Sequence, residues 1–166
     1  MPGDDLFDAF VMEHRARLLR TAVRLVKDRH QAEDIVQTAL TSTFVAWRRG
    51  SVDNVEAYAV RVLVNAVINW DRRRRRRPEV TSATPLEGPA TYPIDQWLER
   101  NELWLAVSRL PDRLRRVIVL RYYLDLTEAQ TAATLGVAQG TVKSQTARAM
   151  QCLRRGYLAV CAPHSS

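Results

Sequence analysis

Apolar residues recur at three- and four-residue spacing along nearly all of this chain, and no segment alternates convincingly in twos. That period belongs to helices with one buried face, so the expected fold is all-α, with about seven helices. The first is expected from about Asp4 to Lys27, with Leu6, Phe7, Phe10, Val11, Leu18, Leu19, Ala22, Val23 and Val26 on its inner face. Asp28-Arg29-His30-Gln31 has the form of a capping box and opens a second helix, whose stripe runs Ile35, Val36, Ala39, Leu40, Thr43, Phe44 and Trp47. Asn54 can cap a third, which extends through Trp70 into Arg72–Arg77 and ends at Pro78.

The period fails once. Residues 78–93 hold four of the chain's seven prolines, with Ser, Thr and Gly between them. The expected architecture is therefore two small helical domains, 1–77 and 95–160, on a flexible linker at 78–94, with a tail at 161–166. In the second domain Asp95 begins a helix bearing Trp97, Leu98, Trp104 and Val107, and Pro111 begins another bearing Leu114, Val117, Ile118 and Tyr122.

A formal net charge of +7 sets 25 Lys and Arg against 18 Asp and Glu. Residues 1–77 carry 15 basic and 10 acidic groups, residues 78–100 carry 1 and 4, and residues 101–166 carry 9 and 4. Two basic blocks flanking a short acidic one seek a polyanion, either nucleic acid or an anionic membrane surface. No stretch approaches the ~20 apolar residues that cross a bilayer, and Met-Pro-Gly-Asp-Asp is no signal-peptide start, so a soluble cytoplasmic protein without membrane contact is expected. Cys152 and Cys161 are too few for a disulfide framework and read as reduced thiols. His14, His30 and His164 stand apart from any Cys, Ser or paired carboxylate at useful spacing, and there is no phosphate-cradling glycine loop. No catalytic site, metal or cofactor is expected.

Thr127-Glu128-Ala129-Gln130 is a capping box for a short helix that Gly136 can stop in the left-handed conformation, and a longer helix follows at Gln139–Arg155. A short and a long helix joined by a Gly-containing turn form a helix-turn-helix, whose second helix enters the major groove. Gln139, Gly140, Thr141, Lys143, Ser144 and Gln145 are small or hydrogen-bonding and suit base edges and phosphates, although a solvated polar face would look the same.

The third helix offers a second feature. Arg61, Asn65, Asn69, Arg72, Arg73 and Arg76 fall on one face, where amides can bond to exposed bases while cations hold the backbone, and Trp70 can stack on an unpaired base. Each has a plainer reading: Asn65 satisfying nearby backbone, Trp70 in the core. The run Arg72–Arg77 repels itself unless a polyanion offsets it; it lacks the interleaved large apolar anchors of a membrane-surface helix.

Together these segments resemble the sigma-70 family, specifically its extracytoplasmic-function (ECF) group and an actinobacterial SigE-like branch, over about residues 5–158. The resemblance implies a region 2 helical bundle and a region 4 helix-turn-helix domain that bind core RNA polymerase and direct it to promoter DNA. Ala32-Glu33-Asp34-Ile35-Val36-Gln37-Thr38-Ala39 looks like the region 2.2 motif that docks on the beta-prime clamp helices, which implies contacts by Asp34, Ile35, Gln37, Thr38 and Thr41. Arg61 to Arg73 resembles regions 2.3 and 2.4, which open and read the −10 element. The loop Arg48–Asp53, with Arg48, Arg49 and Asp53, matches one that pockets a flipped base.

Leu110-Pro111-Asp112-Arg113 and Val117–Tyr123 resemble the start of region 4, which in the family docks on the beta flap. Gly140-Thr141-Val142-Lys143-Ser144 is its most recognisable string and implies −35 contacts by Thr127, Gln139, Gly140, Thr141, Lys143, Ser144, Gln145 and Arg148. Two positions depart from the family: Ala138 stands where Ser is common, and Gln145 where Arg is common. An anti-sigma factor is a further partner the resemblance admits. The leading rival reading is a helix-turn-helix regulator that binds DNA without joining polymerase; a more distant one is a helical adaptor or RNA-binding protein whose main contact is the arginine run.

Overall fold

The computed structural model describes the backbone of residues 2–76 and 102–161 and the side chains of residues 5–76 and 102–156. The chain divides into two compact units, residues 1–87 and 88–166. The expected linker 78–94, Arg77, and the helix expected from Asp95 with Trp97 and Leu98 lie outside the described residues.

Among the described residues every regular element is helical: α1 (Pro2–Val26), α2 (Arg29–Arg48), α3 (Val55–Arg76), α4 (Glu102–Ser108), α5 (Asp112–Ile118), a π turn (Val119–Tyr123), α6 (Glu128–Leu135) and α7 (Gln139–Cys161). The all-α expectation holds, and α7 runs further than the Arg155 end expected for it.

In the first unit α1, α2 and α3 pack pairwise into a bundle. Asp28 caps α2 by accepting the Gln31 amide at 3.1 Å, and Asn54 accepts the Ala57 amide at 2.9 Å ahead of α3. Leu18, Ala22, Leu25, Ile35, Val36, Ala39, Leu63, Val64 and Val67 form the buried seam. Phe7 seats between Phe44 and Trp47, at 5.0 Å and 5.6 Å between ring centroids, and so ties the start of α1 to the end of α2. Leu6, expected inside, is 69% exposed, and Leu25, not assigned there, is 1% exposed. Leu6 is one residue, about 100° of helix, away from the Phe7 row, and that rotation carries it off the seam.

In the second unit Trp104, Leu114, Met150 and Leu153 close over Val107, Leu110, Ile118 and Ala149. A second cluster joins Val117, Ala132 and Val142, with Leu135 at its margin. The π turn corrects one expectation. Leu124 donates to the Val119 carbonyl at 3.1 Å, five residues back, so each turn there holds an extra residue. The inward position four after Ile118 moves to five after: Tyr122 is 53% exposed, and Tyr123 meets Trp104 edge-on at 5.7 Å.

Candidate nucleic-acid interface

The helix-turn-helix is held by backbone chemistry at both ends of α6. Thr127 accepts the Gln130 amide at 3.1 Å while the Gln130 side chain accepts the Thr127 amide at 2.8 Å, a complete capping box. At the other end Gly136 sits at φ 66°, ψ 36°, left-handed backbone that suits glycine. The chain then turns through Val137 and Ala138 into α7, where the Ala138 carbonyl accepts from Thr141 and Val142 at 3.0 and 3.2 Å. Ala138 has no side-chain oxygen to add to this, so the recognition helix starts without the N-cap that Ser would give.

Val142, fully buried against Val117 and Ala132, fixes the roll of α7. That roll leaves Gln139, Gly140, Lys143, Ser144 and Arg148 exposed and Thr141 and Gln145 half-buried. The Ser144 hydroxyl donates to the Thr141 carbonyl at 3.0 Å, so its lone pairs, rather than its proton, face outward. Arg121 donates to the Leu126 carbonyl, which braces the segment leading into Thr127.

In the first unit Arg61, Asn65, Asn69, Arg72, Arg73 and Arg76 are all exposed along one edge of α3, as the spacing predicted. The opposite row, Ala59, Leu63 and Val67, is completely buried, so α3 cannot roll to hide that edge. Arg17 on α1 clamps its base through a 2.6 Å ion pair with Glu56. Trp70 is neither core nor free: it is half-buried, and the Arg74 guanidinium lies 4.8 Å from its ring centroid.

The loop after α2 is wound into a Schellman motif. Gly50, at φ 65°, donates to Trp47, and Ser51 donates to Ala46, at 2.9 and 3.2 Å. This presents Arg48, Arg49 and Asp53 to solvent, with Arg48 leaning 5.7 Å from the Phe44 centroid. On α2 itself Asp34, Gln37, Thr38 and Thr41 are exposed. The Thr38 and Thr41 hydroxyls donate to the Asp34 and Gln37 carbonyls, both at 2.9 Å, leaving their methyl groups and hydroxyl lone pairs uncommitted. Ile35 departs from this set. It is 7% exposed and packs inside the bundle, so it supports that surface without forming it.

Asp71 is the residue that the linear pattern passed over. It is 3% exposed, within 3.8 Å of Arg74. Its position in the row 59, 63, 67, 71 was the available signal, obscured by the arginines that follow it.

Among the described residues no three His, Cys, Asp or Glu gather where they could hold a metal ion, and no helix is long and apolar enough to cross a membrane.

Comparison with known proteins agrees with both units. The model of sigma-70 region 2 matches residues 10–77, and that of sigma-70, region 4, matches residues 100–153. The RNA polymerase sigma-E factor of Streptomyces coelicolor is 35% identical over 154 residues, 92% of this chain and 86% of that protein. The ECF RNA polymerase sigma factor SigL of Mycobacterium tuberculosis is 34% identical over 158 residues, 90% of this chain and 87% of that one. Among solved structures, the sigma factor RpoE from Bartonella quintana, in complex with the anti-sigma factor NepR, has a TM-score of 0.71 at 25% identity, covering 90% of this chain and 94% of that one. With two family models in order and relatives spanning most of its length, the chain belongs to the sigma-70 family, as an RNA polymerase sigma factor of the ECF group.

Proposed function

We propose that this sigma factor holds core polymerase through α2, opens and reads −10 DNA with α3, and anchors −35 DNA with α7. The domain roles follow: region 2 over 1–77 and region 4 over 95–160, the latter docking on the beta flap. Asp34, Gln37, Thr38 and Thr41 meet the beta-prime clamp helices, with Ile35 behind them. Arg48, Arg49 and Asp53 receive a flipped base, while Arg61, Asn65, Asn69, Trp70, Arg72, Arg73 and Arg76 take the single strand. Thr127, Gln139, Gly140, Thr141, Lys143, Ser144, Gln145 and Arg148 meet the −35 duplex, Thr141 and Gln145 by their outer atoms. Catalysis stays with polymerase, and the place of work is the cytoplasm, where template and polymerase are. The relative RpoE is held by an anti-sigma factor, and we extend that mode of restraint to this chain.

The observation that carries this reading is the edge of α3, where two amides and four guanidinium groups are exposed in line while the opposite row is sealed in the core. Such an edge suits a strand whose bases are unpaired, since amides bond to base edges and cations to phosphates. The test is permanganate reactivity of thymines on a promoter that the holoenzyme transcribes. Replacing Arg61 and Asn65 by Ala should leave holoenzyme assembly intact and remove the reactive thymines. Undiminished reactivity would contradict the assignment of α3.

A further inference from the structure

The buried row of α3 ends on a carboxylate. After Ala59, Leu63 and Val67, each 0% exposed, the next inward position is Asp71 at 3%. A buried carboxylate needs a cation or hydrogen bonds to offset its desolvation, and the chain supplies arginines immediately afterwards. Arg74, one turn on, places Nη2 3.8 Å from Asp71 Oδ1. The same guanidinium lies 4.8 Å from the Trp70 ring centroid, four residues back and on the near side of the turn. Arg74 therefore differs from Arg72, Arg73 and Arg76: it is drawn back over an indole by a carboxylate in the core.

We infer that Asp71 and Arg74 form a latch over Trp70, and that Asp71 is a positioning residue for capture of single-stranded promoter DNA. This rests on Trp70 serving as a stacking surface, as proposed above. In the free protein the guanidinium occupies a face of the indole that a nucleobase would use. A phosphate competes with Asp71 for Arg74, because a guanidinium binds a phosphate through a charge-assisted fork. When the strand arrives, Arg74 moves from carboxylate to phosphate, and a base takes its place on Trp70. Engagement of the backbone and stacking of the base are thereby coupled, and the indole stays covered until DNA is present. Asp71 sets how readily the latch opens.

The test measures binding of a fluorescein-labelled mixed-sequence 15-nucleotide single strand to holoenzyme by anisotropy, with core polymerase alone subtracted. Asp71→Asn keeps the shape of the side chain and removes its charge. It should tighten binding about threefold, the scale of a partly exposed ion pair, and the gain should be smaller in a Trp70→Ala background, where only the phosphate half of the exchange remains. A gain of equal size without Trp70 would mean a general charge effect and would overturn the latch. No gain with Trp70 present would overturn it too. If Trp70→Ala alone leaves affinity unchanged, the stacking role itself fails, and that outcome is distinct from the others.

A spectroscopic arm needs no affinity change. In full-length chain labelled with 5-fluorotryptophan, the fluorine resonance missing from Trp70→Phe belongs to Trp70. Asp71→Asn and saturating oligonucleotide should each displace it, and Arg74→Gln should reproduce the first displacement. A resonance indifferent to both substitutions would contradict the latch.

Discussion

Lys143 stands exposed one turn into α7, next to Val142, whose burial fixes the direction it points. If it meets phosphate, Lys143→Ala should weaken −35 duplex binding evenly across sequences and lower the salt slope by about one. A loss confined to one base position would make it a base reader instead. Gly136 carries a different burden: at φ +66° it has open space where a Cβ would go, so its requirement is backbone strain and not crowding. Gly136→Ala should destabilise the second unit by about 1 kcal/mol, seen as a lowered Tm of that unit, with DNA contacts preserved at low temperature. Gln145 is half-buried beside the exposed Ser144; if it meets a base edge as proposed, an amide suits adenine where arginine suits guanine.

Among the elements, α3 was legible almost completely. Its four-residue apolar row and the amide-arginine row opposite are both visible in the order of residues, and the structure turns them to opposite sides. Replacing Arg72, Arg73 and Arg76 together by Gln should flatten the salt dependence of single-strand binding by up to about two units, at ~0.7 per phosphate contact. An unchanged slope would remove the phosphate role from this run. The helix-turn-helix was legible too, because its capping box and its glycine are local signals that need no tertiary contact. What local spacing could not give was the π turn at Val119–Tyr123, where one extra residue per turn trades Tyr122 for Tyr123. Leu6 sits at the edge of the apolar stripe of α1, about 100° round from Phe7, and the three-and-four spacing alone does not say which of two adjacent apolar residues faces the seam. The motif around Ile35 points to the docking face, while packing puts the side chain inside.

At the scale of the whole molecule, the chain divides into two compact units; on the reading proposed above, the first carries the −10 surface and the clamp-helix contact, and the second carries the −35 surface and the beta-flap contact. Asp34 is exposed on α2, so Asp34→Lys should leave helicity and Tm unchanged while reducing co-purification with core polymerase at least tenfold, by setting a like or unpaired charge in a protein interface. A sigma factor makes polymerase start at particular promoters. The most direct test of that role is run-off transcription of genomic DNA by purified core polymerase, with and without the protein, followed by mapping of RNA 5′ ends. A set of starts should appear only with the protein and share two sequence elements at fixed spacing upstream. Bound DNA without any new start would contradict that role and leave a regulator that never joins polymerase.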